Sequence, residues 1–392
     1  MQLKTFYADL HIHIGRDIEN KPVKITGSRT LTLTNILIEA SRNKGIDMVG
    51  IIDCHVPSVQ REMEGLIDQG KAFELEDGGI QFEQVTLILG VEIEVYDQSC
   101  LGPIHVLCFL PNLTSMKQFS NWLSSRMTNI NLSSQRYYGT AKELQYKVKE
   151  LAGLFIPAHV FTPFKSLYGK GVYQSLTEVL DPDLIDAVEL GLSADTSMAD
   201  DIGELHRYTF LTNSDAHSLA KIAREYQQIK MKAASFKELE LALHGIDNRE
   251  IVVNYGMNPL LGKYHQTVCK DCIQPVNEVG ACASCGSSKV IKGVADRIKE
   301  INQRQKQHYK KRMRPSYIYQ VPLEYIPKLG PKALQKLLDH FGTEMQVIHH
   351  ASYSDLRKVI QPSIAEAIIQ LREGILPVTA GGGGKYGKVE KR

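Results

Sequence analysis

The chain has 392 residues, 43% hydrophobic and 23% charged, which gives room for more than one domain of ~100–200 residues and has the balance of a soluble globular protein. No apolar run approaches the roughly 18 residues of a membrane span, so a membrane protein, a disordered chain and a single small module are excluded. The net charge of +2 hides an uneven distribution: between 289 and 314 only Asp296 and Glu300 oppose a dense run of Lys and Arg, a stretch that suits a polyanion.

The opening MQLKTFYADLHIH has no apolar signal core, which predicts a cytoplasmic protein with mostly reduced thiols. Up to about 250, short β-rich runs alternate with amphipathic helical stretches, the pattern of βα units around a parallel sheet or barrel. Seven runs are predicted, over 6–13, 48–54, 87–95, 104–110, 154–160, 187–192 and 209–215, with helices such as 33–43 and 140–152 between them. Six of the seven end in, or run into, a His, Asp or Glu. In α/β barrels the chemistry sits at the carboxyl ends of the strands, where these residues stand.

NPLLG at 258–262 ends this pattern and sets a boundary near 255. The expected organisation is an α/β barrel over 1–255, a four-cysteine segment with a basic helix over 256–320, a small all-α module over 321–376 and a flexible Gly-rich basic tail over 377–392. There is no internal repeat of solenoid length.

Asp9-Leu10-His11-Ile12-His13 puts two imidazoles on one face of one strand, because side chains two apart point the same way. Taken alone, HxH is equally two half-buried histidines. It is accompanied by Asp53, His55, Glu92, His105, His159, Asp215 and His217 at comparable strand ends, so that six of the thirteen histidines gather there. Burying so many polar groups is costly unless they bind a cation, and histidine with carboxylate suits zinc, manganese or iron. Asp9, Asp53 and Glu189 can orient these histidines or position water; each can equally be a strand-end carboxylate paired with a nearby cation. Cys54 points to the opposite face of an extended chain and, like Cys100 and Cys108, reads as a buried thiol.

The motifs DLHIH, DCH, PAHVF and NSDAH, in that order between residues 9 and 217, resemble those of the PHP (polymerase and histidinol phosphatase) superfamily. The resemblance implies a distorted seven-stranded barrel whose metals activate water against phosphoester bonds. It would place His11, His13, Glu92 and Asp215 on one ion, Glu92 with His105 and His159 on a second, and His55 with His217 on a third. A further ligand is expected soon after the HxH, for which Asp17 or Glu19 is available; otherwise Arg16 is placed to face a phosphate.

Cys269-x-x-Cys272 and Cys282-x-x-Cys285 are separated by nine residues, the spacing of four thiolates around one structural zinc; a redox CxxC would need a thioredoxin-like unit. Lys306, Lys310, Lys311 and Arg312 in the basic stretch read as a DNA backbone clamp, with a solvated helix face as the alternative. The segment 326–342, IPKLGPKALQKLLDHFG, resembles a helix-hairpin-helix, in which Lys328, Gly330 and Lys332 would meet a phosphate. Lys328 stands where the first glycine of that hairpin usually is, the second copy at 359–368 lacks its glycines, and a plain helical bundle is the alternative.

Barrel motifs, cysteine pairs and hairpin in this order resemble the endonuclease Q family. The resemblance implies a metal-dependent DNA repair endonuclease that cuts 5′ to deaminated bases (uracil, hypoxanthine, xanthine) and abasic sites, leaving a 3′-hydroxyl and a 5′-phosphate. It implies DNA as partner, one structural Zn²⁺, and two or three divalent ions (Zn²⁺, Mn²⁺ or Mg²⁺) in the barrel. No clamp-binding peptide is visible in GGGGKYGKVEKR. The competing readings are a small-molecule phosphoesterase of the histidinol phosphatase type, which leaves the C-terminal segments without a task, and a non-catalytic DNA-binding scaffold.

Overall fold

The seven N-terminal runs become strands because each is a short stretch of aliphatic and β-branched residues closed by polar or turn residues. In the computed structural model, which describes residues 2–262, 264–276, 281–305, 312–379 and 388–389, they are β1 (Lys4–Ile12), β2 (Met48–Ile51), β3 (Val85–Val95), β4 (Ile104–Leu110), β5 (Leu154–Pro157), β6 (Ala187–Glu189) and β7 (Thr209–Leu211). β1, β2 and β3 pair in parallel, β4 lies antiparallel between β3 and β5, and β6 pairs in parallel with β7. Single hydrogen bonds continue this order where the ladders stop. The Asp186 amide donates to the Phe155 carbonyl at 3.0 Å, and the Ala216 amide donates to the His11 carbonyl at 3.1 Å, returning the chain to β1.

All seven strands feed one buried apolar cluster, through Leu10, Met48, Ile88, Phe109, Ile156, Ala187 and Leu211. Beyond β1 the sheet continues through β8 (Tyr226–Met231), β9 (Glu250–Gly256) and β10 (Ser316–Tyr319), with β8 antiparallel to both β1 and β9 and β10 parallel to β9. Helices Leu33–Ile38 and Ala141–Glu150 form where expected, each started by a threonine, Thr32 and Thr140, whose side chain accepts an amide of the first turn. The fold is mixed α/β.

The expected parallel order fails at β3, β4 and β5. Residues 96–103 are too few for a crossover helix, so β4 returns beside β3 antiparallel. β4 is buried along its whole length, and a strand buried on both faces reads as the same continuous apolar run in either direction.

The basic stretch also differs from the expectation of a free polyanion surface. Arg297, on helix Val294–Arg304, donates to the carbonyls of Tyr168 and Val172, both at 2.7 Å, and Arg304 lies 4.0 Å over the Tyr173 ring. Arg314 binds Asp200 at 2.8 Å and the Leu205 carbonyl at 3.0 Å. These three arginines fasten the segment to the N-terminal fold. Lys306, Lys310 and Lys311 lie outside the described residues, as does most of the tail.

Helices Pro331–Phe341, Tyr353–Val359 and Pro362–Arg372 make the C-terminal module. It docks through a buried pair, Lys44 Nζ to Glu344 Oε1 at 2.9 Å, and through His349, which stacks on Tyr7 at 4.8 Å and meets the Tyr226 hydroxyl at 2.7 Å. Among the described residues no helix is long and apolar enough to cross a membrane.

Candidate metal centre and nucleic-acid face

His11 and His13 leave β1 side by side, and their Nε2 atoms face the same two carboxylates, Glu92 from β3 and Asp215 from the turn after β7. His11 Nε2 is 3.6 Å from Glu92 Oε1 and 3.5 Å from Asp215 Oδ1; His13 Nε2 is 3.6 Å from Glu92 Oε2 and 3.4 Å from Asp215 Oδ1. Both Nε2 atoms and Asp215 Oδ1 are buried without a hydrogen-bond partner, an arrangement that costs free energy unless something binds there. The spacings match the edges, about 3.4 Å, of a tetrahedron of ligands with ~2.1 Å bonds. The residues fit a divalent cation.

The far side of each ring is held as metal-bound imidazoles are held. His11 Nδ1 donates to Glu189 Oε1 at 2.9 Å, and His13 Nδ1 donates to Asp53 Oδ2 at 3.2 Å with Ser133 Oγ 3.0 Å away. Burial disfavours charge on His11, but Glu189, Asp215 and Glu92 around it overcome burial and raise its pKa to about 10. Burial likewise opposes ionisation of Glu92 and Asp215, and the surrounding imidazoles, joined at Glu92 by the Lys24 ammonium, nevertheless hold both carboxyls well below their usual range.

Two further groups share these ligands. His105 Nδ1 lies 2.8 Å and His159 Nε2 3.3 Å from Glu92 Oε1, and a third group joins His13, Asp215 and His217. Within each group the ligand atoms lie within 4.8 Å of one another. His159 and Asp215 have left-handed backbones, φ 30° and 45°, a conformation that costs on the order of 1–3 kcal/mol and clusters at functional sites. Gly191 is what lets His159 sit there, since a Cβ at Gly191 would come 2.8 Å from His159 Cβ.

Not every expected residue joins. His55 falls in none of the groups: its Nε2 lies 3.3 Å from the Leu132 carbonyl and its buried Nδ1 has no partner. Asp17 takes the amides of Glu19 and Lys21 in its own loop, and Glu19 is an exposed partner of Lys21 at 2.6 Å. Arg16 is half-buried in the same loop and makes no ion pair among the described residues. Asp9 holds no ligand ring; its oxygens accept the amides of Ser214 at 3.0 Å and Ala223 at 2.9 Å, tying β1 to the segment after β7. Cys54 is a buried thiol that donates to the Ile51 carbonyl.

Sequence reasoning missed the polar residues that complete the mouth of the site. Lys24 reaches Glu92 Oε2 at 3.4 Å and Ser134 Oγ at 2.6 Å, and Ser134 also bonds Glu92. Lys165, across the opening, pairs with Glu94 at 2.8 Å. All of these lie on loops, where a single Lys or Ser carries no pattern.

Cys269, Cys272, Cys282 and Cys285 come together, with Sγ atoms 3.5 Å apart across the pairs 269–285 and 272–282. Each CxxC is followed by a residue in the left-handed region, Ile273 (φ 63°) and Gly286 (φ 72°), so the two turns have like geometry. Backbone amides directed at the sulfurs pull the Cys269 and Cys282 thiols down, while the crowding of neighbouring sulfurs raises those of Cys272 and Cys285.

In the C-terminal module Lys328 adopts φ 69°, the backbone a glycine would supply in a hairpin turn. Gly330 caps helix Pro331–Phe341, and nothing lies within 4 Å of where its Cβ would be. Its amide is open to a close approach. Lys328, Lys332 and Lys336 line one groove with Ile360, Gln361 and Ile364, and Arg312 stands separately with a weak contact to the Arg207 carbonyl.

No family model matches the chain. It is 56% identical over 389 residues to the uncharacterized protein YqxK of Bacillus subtilis, covering 99% of this chain and 100% of that one. It superposes on the crystal structure of the lesion-specific endonuclease PfuEndoQ from Pyrococcus furiosus with a TM-score of 0.83 and 31% identity, over 99% of this chain and 95% of that one. A structure of endonuclease Q with a 27-mer duplex, whose abasic lesion lies at that enzyme's active site, matches with a TM-score of 0.82 and 31% identity over 99% and 96% of the two chains. With likeness of this extent running end to end, the chain belongs to the endonuclease Q family.

Proposed function

We propose that this protein is a DNA repair endonuclease that hydrolyses the phosphodiester 5′ to deaminated bases (uracil, hypoxanthine, xanthine) and abasic sites, leaving a 3′-hydroxyl and a 5′-phosphate. The observation that carries this reading is the set of partnerless imidazole and carboxylate atoms converging on Glu92 and Asp215. Strands β1 to β7 form the seven-stranded PHP barrel, within a first domain ending near 255. His11, His13, Glu92 and Asp215 hold one ion and Glu92, His105 and His159 a second. His217 serves a third with His13 and Asp215. Divalent ions there, Zn²⁺, Mn²⁺ or Mg²⁺, would supply a water of near-neutral pKa and offset charge on the phosphate. Glu189 and Asp53 keep His11 and His13 turned toward the centre.

The four cysteines hold a structural Zn²⁺, and 321–376 is a helix-hairpin-helix module that grips the DNA backbone through Lys328, the Gly330 amide and Lys332, with Arg312 and Lys306, Lys310 and Lys311 adding charge. Beside Asp215 a cavity walled by Gly191, Leu192, Asn213 and Tyr264 offers an extruded nucleotide an apolar side. A histidinol phosphatase would need neither the groove nor the cysteine cluster.

Duplexes carrying one uracil, hypoxanthine or abasic site, and undamaged DNA, with histidinol phosphate in parallel, decide the substrate class. Incision at lesions alone supports the reading; hydrolysis of histidinol phosphate alone contradicts it. Changing Arg312, Lys328 and Lys332 to Gln should weaken binding to damaged and undamaged duplexes alike. The plot of log affinity against log salt should flatten by about 0.9 per lost contact, with lesion preference intact. Titration across a salt series measures this, and an unchanged slope would return these residues to a solvated face.

A further inference from the structure

Lys24 is a cation built into a pocket made for cations. Its side chain is 16% exposed, its Nζ lies 3.4 Å from Glu92 and 2.6 Å from Ser134 Oγ, and it lines the same opening as His13, His105, His159, Asp215 and His217. Its position is not a chance of a loose loop. Val23 beside it is 1% exposed, the Lys24 amide donates to the Ile14 carbonyl at 2.8 Å, and the Ser28 amide donates to the His217 carbonyl at 2.8 Å. The loop is therefore bonded to both ends of the ligand set, and the ammonium is held over its centre.

Once Glu92 is shared by divalent ions, the ammonium is left among like charges, and that is costly unless an anion lies between them. The other lysine at the mouth, Lys165, already has Glu94 at 2.8 Å. Among the described residues Lys24 has no carboxylate partner other than the ligand Glu92. We infer that Lys24 is a phosphate-binding residue: its Nζ moves from Glu92 onto a non-bridging oxygen of the phosphodiester to be cut, and fixes that phosphate against the metal centre. The inference rests on the nuclease reading above and adds to it the residue that recognises the scissile group. Lysine suits the task as a compact point charge on a flexible stem.

The test is a cycle on the full chain, with Ca²⁺ replacing the activating ion so that binding is read without turnover. Parent, Lys24→Met and Lys24→Arg are titrated with an abasic duplex bearing at the scissile link either the natural phosphate or an uncharged methylphosphonate. Metal per chain is measured for each, and the parent is assayed with Mn²⁺ for incision. The parent should bind the methylphosphonate more weakly by a factor of more than about ten, because the neutral link forfeits both the Lys24 contact and the attraction of the divalent ions. Lys24→Met should lose about tenfold on the natural link and nothing further on the methylphosphonate. Lys24→Arg should recover most of the loss, and metal content should be unchanged in all three. Losses that multiply, no loss in Lys24→Met, or fewer ions in that variant would overturn the assignment while leaving the nuclease reading in place. A parent that neither binds nor incises the abasic duplex would overturn the nuclease reading and the assignment together.

Discussion

Asp215→Asn and His11→Ala are each expected to slow phosphodiester cleavage by about a thousandfold or more while DNA binding stays close to that of the parent. The magnitude follows from what is removed. A metal centre contributes several kcal/mol to stabilising the charge that develops in phosphoryl hydrolysis, and every ~1.4 kcal/mol is a factor of ten in rate. His11 and Asp215 each face the centre with an atom that has no other partner, so no other group in the structure replaces them. Binding is spared because the groove of Lys328, Lys332 and Lys336 belongs to a different part of the chain. Metal analysis beside single-turnover cleavage checks the claim. Equal rates in mutant and parent, after stripping and restoring a defined ion, would remove these residues from the site.

Cys272→Ser or Cys285→Ser is expected to lower the zinc content by about one ion per chain and to destabilise the segment between β9 and β10. The cysteine-bearing part of that segment, 265–292, has little else to hold it. Its only paired strands among the described residues are Val268–Cys269 and Val290–Ile291, two residues each, too short to be stable alone. The damage should spread. β10 lies on the N-terminal sheet and Arg297 is bonded to the carbonyls of Tyr168 and Val172, so a loosened cluster frees the anchoring of both. Limited proteolysis should cut first between 265 and 290. Unchanged zinc content and unchanged protease resistance would show that the four sulfurs hold no ion.

Much of the site was legible because it is written in strand periodicity. His11 and His13 share a face by their spacing, and His159 and Asp215 end runs that became β5 and β7 or the turns after them. The direction of β4 was not legible from its apolar pattern, though the short 96–103 connection is a signal for antiparallel return. His55 looked like a ligand by position, but a strand-end position fixes only where a ring begins; its Nε2 meets the Leu132 carbonyl, its buried Nδ1 has no partner, and it falls in none of the ligand groups. Charge counting failed at Arg297, Arg304 and Arg314 for a related reason. Arg297 and Arg304 share Glu300 on their own helix, but their other partners are backbone carbonyls, and that of Arg314 is Asp200, all distant in sequence and without a net-charge signature. Lys24 and Ser134 escaped notice because loop residues meet the centre only after folding.

The most direct measurement of the central claim uses a 5′-labelled duplex with one abasic site and protein stripped of metal, assayed before and after Mn²⁺ is restored. The account predicts no cleavage by the stripped protein and, with Mn²⁺, a single nick immediately 5′ to the lesion that leaves an extendable 3′-hydroxyl. Cleavage that ignores the lesion, or that proceeds equally in the stripped protein, would contradict it.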